Sequence, residues 1–316
     1  MSRDLPRVGL LVNPMARAQR VAPETPSRLE AAIANQGLFA LSTGIEDLES
    51  IAHHFKDEGV EILAVSGGDG TTSYALTAFK RVYGDTPLPA IALLRGGTMN
   101  TVANGLSVPR GRPEALLKRL LGASKKGRNL HSRSVRTIRV NSQLGFITGV
   151  GIIPSFLRIY YGDGNPHRSP LTAFKLLAET VGSALVGGGL AARIAAAIAC
   201  EVSVDGESWP LDSYLTIGAA TVPEIGLGFT PFYRIQPGVD GFHIVGFHCT
   251  KFEFVKALHP IFWGRPPNQR LTREALASRA TVRQVDGPTL YTIDGEVFES
   301  NELVIEQGPR VEIVWG

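Results

Sequence analysis

Two segments of this chain repeat one local order: a short apolar run, a glycine loop, then a helix-like pattern. Ile62–Val65 runs into Ser66-Gly67-Gly68-Asp69-Gly70-Thr71 and a helix over Thr72–Tyr83. Ile91–Leu94 runs into Arg95-Gly96-Gly97-Thr98-Met99-Asn100 and a helical start. A third apolar run, Val8–Val12, ends at Asn13-Pro14, where proline closes a strand and opens a loop. Ser27–Asn35 reads as a helix with Ser27 as its N-cap, and Ile45–Lys56 as a second amphipathic helix. Strand, loop and helix in alternation over the first 110 residues predict an open parallel α/β sheet. Sites in such sheets lie at the carboxyl ends of the strands.

The pattern changes near residue 134. Ser134–Val140 and Leu144–Gly149 alternate like paired strands, with Asn141-Ser142-Gln143 between them. Leu171–Cys200 is helix-like and is interrupted at Gly187-Gly188-Gly189. From Glu201 onward short β-type runs are separated by Asp205-Gly206, Pro237-Gly238, Asp240-Gly241, Asp286-Gly287 and Asp294-Gly295. Recurrent turns of this kind predict an antiparallel β-sandwich. The expected division is an α/β nucleotide-binding domain over 1–134 and a β-sandwich lipid-substrate domain over 135–316, with a return of the C-terminal tail to the first domain left open.

With 44% hydrophobic and 19% charged residues in 316, the chain can bury a large core, and a disordered chain is excluded. Cys200 and Cys249 are the two cysteines and show no metal-ligand spacing, so a disulfide scaffold and a zinc site are disfavoured. Val8–Val12 is too short for a signal peptide. The longest uncharged helix-like stretch, Thr180–Ala192, falls short of the roughly 20 apolar residues a spanning helix needs. A soluble, cytoplasmic protein is expected, with transient membrane association.

The net charge is only +3, but it is unevenly placed. Residues 1–134 carry 17 Lys/Arg against 12 Asp/Glu, and the remainder 15 against 17. No acid lies between Glu114 and Asp163, a stretch holding Lys118, Arg119, Lys125, Lys126, Arg128, Arg133, Arg136, Arg139 and Arg158. It reads either as a solvated basic face or, over 118–139, as a surface for anionic lipid headgroups. No aromatic residues interleave the charges, so nucleic acid is not expected.

Glycine is needed where backbone approaches a phosphate closely, and the amides opening the next helix complement phosphate charge. Neither loop fits GxGxxG or GxxxxGK[ST], which disfavours a dehydrogenase and a P-loop enzyme. Asp69 inside the first loop would repel phosphate unless a cation bridges them, so Mg²⁺ with a nucleotide accounts for it; a turn or helix cap is the plain alternative. Asp294-Gly295-Glu296 has the spacing of a hairpin turn, and Asp205-Gly206-Glu207 repeats the same letters.

Taken in order, these elements resemble the diacylglycerol kinase catalytic family, which includes bacterial lipid kinases, sphingosine kinases and ceramide kinases. The resemblance runs from Val12-Asn13-Pro14 through Gly67–Thr71 and Gly96-Gly97-Thr98-Met99-Asn100 with Ala103. It continues through Phe146, Gly149, Gly151, Pro231 and Asp240-Gly241 to Asp294-Gly295-Glu296. The first loop alone is shared with NAD kinases; the second loop and the terminal triplet favour lipid kinases.

The resemblance implies an ATP- and Mg²⁺-dependent lipid kinase that phosphorylates the primary hydroxyl of a neutral lipid such as diacylglycerol or ceramide. Asn13, Pro14, Gly67, Gly68, Gly70, Thr71, Gly97, Thr98 and Asn100 would line the nucleotide site. Glu296 would be the general base, supported by Asp294, with Asp69 placing magnesium or sharing the base role. Asp240 matches a position near a structural magnesium in some bacterial members. A homo-oligomer is compatible with all of this.

Three positions depart from the family pattern. Thr101 stands where many bacterial members have Asp. Arg136 aligns with another Asp, as a phosphate clamp or through a shifted alignment. Met15-Ala16-Arg17 replaces the usual glycine after Asn-Pro. Ile152–Ser155 offers no acid for a sphingoid amine. The apolar helix around Leu171–Cys200 lines an acyl site or is core. The rival readings are a NAD-kinase-like enzyme and a catalytically inactive protein that binds nucleotide or anionic lipid.

Overall fold

The computed structural model describes residues 6–125, 130–162, 169–185 and 188–316. The chain divides into two compact units, one of residues 1–135 with 310–316 and one of residues 136–309.

The first unit alternates strand and helix: β1 (Val8–Val12), α1 (Arg17–Val21), α2 (Thr25–Ile33), β2 (Gly37–Leu41), α3 (Asp47–Asp57), β3 (Ile62–Ser66), α4 (Asp69–Tyr83), β4 (Ala90–Leu93), α5 (Thr101–Gly105) and α6 (Pro113–Lys125). β1 lies between β2 and β3, β4 follows β3, and Ile313 near the C-terminus pairs with Ile91 of β4, all parallel. Every residue of β1 and β3 is buried, which is why both read as continuous apolar runs rather than alternating ones. Leu29 and Ile33 of α2 and Leu116, Leu117 and Leu120 of α6 pack on Leu10, Ile62 and Ala64 of the sheet.

The second unit opens partway along β5 (His131–Val140) and continues through β6 (Gln143–Gly145), β7 (Ile147–Gly151), α7 (Ile152–Tyr161), α8 (Pro170–Leu185), α9 (Gly189–Ile194), β8 (Ile198–Val204), β9 (Glu207–Ser208), β10 (Ser213–Tyr214), β11 (Thr216–Ala220), β12 (Phe242–Phe247), α10 (Lys251–Phe262), β13 (Thr272–Ala277), β14 (Arg279–Gln284), β15 (Thr289–Ile293), β16 (Glu296–Ser300) and β17 (Glu302–Trp315), whose last residues return to the first unit. One antiparallel sheet runs β13–β12–β11–β7–β15–β16, and another group is built on β8, β14 and the first part of β17. Phe242, Ile244, Ile217 and Ile293 of the first sheet share one core with Val202, Val282, Leu303 and Ile305 of the second. An antiparallel β unit therefore follows a parallel α/β unit.

Local expectations needed four corrections, one of them at the helix expected over Leu171–Cys200, which ends at Ile194 before β8 takes up residues 198–200. Pro26 sits in the first turn of α2, so the helix opens at Thr25 and Ser27 lies inside it rather than capping it. α4 opens at Asp69, not Thr72, which makes the loop aspartate helical. The second unit also contains α10, which the β-type reading passed over. Thr250 and Glu253 form a capping box there, each side chain bonding the other's backbone amide, and the T-x-x-E spacing was the available signal.

Candidate functional site

The two glycine loops pack on each other. A Cβ on Gly97 would lie 2.5 Å from the Cα of Gly68, and one on Gly96 would lie 2.8 Å from the amide nitrogen of Gly67. Both neighbours are backbone and cannot swing away, so these glycines are required for loop-on-loop contact before any ligand is considered. α4 has no side-chain cap at Gly68, so no cap side chain occupies the amides of its first turn, and the one carboxylate among them, Asp69, bonds its own amide. That is the arrangement a phosphate group satisfies.

Asn13 builds the rim of this region. Its amide donates to Ser66 O at 3.1 Å, its Nδ2 donates to Thr71 Oγ1 at 2.9 Å, and its Oδ1 accepts the Met15 amide at 2.8 Å. Pro14 then turns the chain into α1, whose Ala18 amide donates to Gly96 O at 2.9 Å. Asn100 closes the second loop on itself, accepting from the Gly97 amide at 3.1 Å and donating to Gly97 O at 3.0 Å. It does so from a left-handed conformation, φ 50°, that asparagine tolerates better than most residues. Gly70 is buried, and Thr98 is half-buried.

Two residues that shape this region gave no sequence signal. Gln19 is buried and donates through Nε2 to Ser66 Oγ at 2.7 Å and Ser66 O at 3.2 Å, fixing the end of β3. Arg95 spreads its guanidinium over Asn104 Oδ1 at 2.7 Å, Pro109 O at 2.9 Å, Ala103 O at 3.2 Å and Val108 O, stapling the segment around α5.

Asp69 is the charged centre. Its Oδ2 accepts the Thr101 amide at 2.9 Å and its Oδ1 the Val102 amide at 3.2 Å. Burial pushes its carboxyl above the ordinary range, while the two amides and the nearby Arg95 charge pull it back. The cap reading and the metal reading are compatible, because three amide bonds, its own among them, leave one of a carboxylate's roughly four lone-pair sites free. A magnesium ion held by one carboxylate and substrate phosphates fits here.

In the second unit, Asp294 and Gly295 form the turn of the β15–β16 hairpin at φ 47° and 89°. Asp294 is 7% exposed, and its carboxylate accepts the amides of Phe146 at 3.0 and 3.1 Å and Ile147 at 2.9 Å. It therefore clasps the start of β7. Glu296 is exposed at the first position of β16. The Tyr161 hydroxyl at the end of α7 comes within 3.6 Å of where a Cβ on Gly295 would stand.

Asp240 has a different partner from the magnesium that the resemblance implies. Arg136 donates to its Oδ1 through Nε at 2.7 Å, places Nη2 2.6 Å from the same oxygen, and donates through Nη1 to Gly308 O at 3.1 Å. The guanidinium engages Oδ1 of this carboxylate alone, a partner that the resemblance did not supply. Among the described residues no group of three or more His, Cys, Asp or Glu could hold a metal ion.

The basic stretch is also partly consumed inside the fold. Arg133 donates to Leu106 O at 3.3 Å, Arg136 holds Asp240, and Arg139 donates to Glu306 at 2.8 Å. Lys118, Arg119 and Lys125 of α6 remain exposed; Lys126 and Arg128 lie outside the described residues.

Comparison with known proteins places the glycine loops in a family context. Residues 7–131 match the diacylglycerol kinase catalytic domain. That span contains both loops, Asn13, Asp69 and Arg95. A diacylglycerol kinase crystal structure from Bacillus anthracis str. Sterne is similar over 100% of this chain and 98% of its own, at 17% identity and a TM-score of 0.65. Two structures from the same organism, named as candidate diacylglycerol kinases, share 17% identity with TM-scores of 0.71 and 0.69. Each is covered over 97% and 99% of its length, respectively, and over 100% of this chain. These likenesses show the two-part fold. No curated protein sequence matched.

Proposed function

We propose that the protein is an ATP-dependent lipid kinase that transfers the γ-phosphoryl group to the primary hydroxyl of a neutral lipid such as diacylglycerol or ceramide. The observation that carries this reading is the uncapped N-terminus of α4, set between two interlocked glycine loops with a carboxylate in its first turn, inside the span that matches the family domain.

In this reading the first unit binds the nucleotide. The opening amides of α4 hold phosphate oxygens, and Asn13, Gly67, Thr71, Gly97, Thr98 and Asn100 shape the surrounding backbone. Asp69 would hold Mg²⁺, which when bound supplies charge neutralisation for the phosphates. The second unit supplies the acceptor chemistry. Glu296 takes the proton from the lipid hydroxyl as its oxygen bonds the γ-phosphorus, and the bond to the bridging oxygen breaks to release ADP. Asp294 is a positioning residue: it fixes the hairpin from which Glu296 projects.

The inactive reading rested on Arg136 and Thr101. Arg136 is paired with Asp240, and Thr101 contributes its backbone amide to Asp69, so each residue has a structural role of its own. The test is transfer of labelled γ-phosphate from Mg-ATP to diacylglycerol, ceramide, sphingosine and monoacylglycerol in mixed micelles, with NAD as a soluble control. Label in a neutral lipid supports the proposal. Label in NAD alone, or in nothing, overturns it.

A further inference from the structure

α8 breaks the usual rule for a helix on a globular unit. Of its sixteen residues only Ala173 is buried. Leu171 is 76% exposed, Phe174 58% and Leu185 56%. With Ala178 and Gly182, also exposed, they follow helical spacing and form a stripe whose only charges are Lys175 and Glu179. Leu176, Leu177 and Val181, on the opposite side, are half-buried. The helix is thus apolar on both faces, a composition found in a protein interior or against lipid, yet it lies at the surface. No helix among the described residues is long and apolar enough to cross a membrane, so spanning is not its use.

α10 packs against α8 and shows a second exposed stripe, of different chemistry. Phe252, Lys256, His259, Phe262 and, just past the helix, Trp263 all face solvent. Lys256 Nζ lies 4.3 Å from the centre of the Phe252 ring, and Phe262 and Trp263 meet edge to face. The acids nearby are engaged: Glu253 in the capping box with Thr250, and Glu179 beside Lys175 at 3.9 Å. Lys256 and Arg265 stay exposed, and neither forms an ion pair among the described residues.

Single exposed apolar residues are ordinary, but six large ones on two packed elements are not. Tryptophan, phenylalanine and lysine together mark the headgroup–acyl boundary of a bilayer, where rings bury their apolar body and cations meet lipid phosphate. We infer that α8, α10 and Trp263 form a docking face that inserts shallowly into an anionic bilayer. Lys256 and Arg265, both exposed, complement anionic headgroups, and this charge supports lipid as the occupant. The inference deepens the lipid-kinase reading by naming the surface at which substrate is met.

The test is sedimentation of the full chain with phosphatidylcholine vesicles containing one quarter phosphatidylglycerol, without ATP, beside pure phosphatidylcholine vesicles. The wild type is expected to sediment with the mixed vesicles and at least tenfold less with the neutral ones. The triple variant Leu171→Ser, Phe174→Ser, Trp263→Ser should lose at least tenfold in binding while melting at the same temperature. A second variant, Lys256→Glu with Arg265→Glu, should weaken binding to the mixed vesicles alone. Wild type that ignores vesicles, or variants that bind equally, would overturn the docking face. So would a wild-type dimer that the serine substitutions dissociate. Vesicle binding without any phosphate transfer would sink the kinase reading and leave the docking face standing.

Discussion

The carboxylate of Asp69, in the first glycine loop, accepts the backbone amide of Thr101 at 2.9 Å and so caps the helix that follows the second loop. Asn100, at that helix's own cap position, makes no side-chain capping bond. One residue therefore joins the two loops, and position 101 acts through its backbone rather than through the acid expected there.

Replacing Asp69 by Ala should orphan the Thr101 and Val102 amides and cost about 1–3 kcal/mol of stability. ATP affinity should fall as well, because both loops lose their shared anchor. Asp69→Asn keeps the shape but turns an NH₂ group toward an amide donor, so its loss should be intermediate. Urea unfolding and ATP titration of the two variants check both effects.

Asp294 and Asp205 make one motif twice. Asp205 and Gly206 have φ 48° and 89°, as Asp294 and Gly295 have 47° and 89°. The Asp205 carboxylate accepts the amides of Ser278 at 3.0 and 3.2 Å and Arg279 at 2.8 Å. Asp294 is buried and Asp205 exposed. Asp294→Ala should therefore cost about 2–3 kcal/mol and Asp205→Ala about 1 kcal/mol or less, since water can replace the lost acceptor only at the exposed site. Under the kinase reading, Asp294→Ala should also slow transfer and Asp205→Ala should not. Paired unfolding curves and transfer rates separate the two.

His243 on β12 is fully buried, and neither ring nitrogen has a hydrogen-bond partner among the described residues. Tyr233 and Phe232 meet the ring edge to face, Tyr233 donates to Glu274, and Glu274 Oε2 lies 3.4 Å from Nε2. Burial lowers the imidazole pKa to about 4; Glu274 opposes the shift and Arg234 adds to it. The folded value lies below the unfolded one, near 6.5, so the unfolded chain binds more protons between them. Stability should fall as pH drops from 6.5 to 4, by up to about 3 kcal/mol from this group. His243→Leu should flatten that part of the pH profile, which melting curves at half-unit intervals would show.

Much of this was legible in the sequence because it is carried by period and backbone need. β1 and β3 are buried on both faces, so their residues are apolar without interruption. Gly96 and Gly97 are written in the chain because a Cβ on either would run into the backbone of the first loop. Gln19 and Arg95 escaped because their partners are carbonyls and side chains that only the folded loop assembles. α10 escaped because β-type runs and Asp-Gly turns surround it, although its capping box was present. Arg136 looked like a misplaced charge until Asp240, 104 positions away in sequence, proved to be its partner.

The most direct test of the lipid-kinase account is the rate of γ-phosphate transfer to a neutral lipid by Glu296→Gln at saturating Mg-ATP. Glu296→Gln keeps the shape of the side chain, so melting temperature and ATP affinity should stay unchanged. Turnover should fall by roughly 10²–10⁴-fold, the range lost with a general base. A Glu296→Gln protein as fast as wild type would contradict the account.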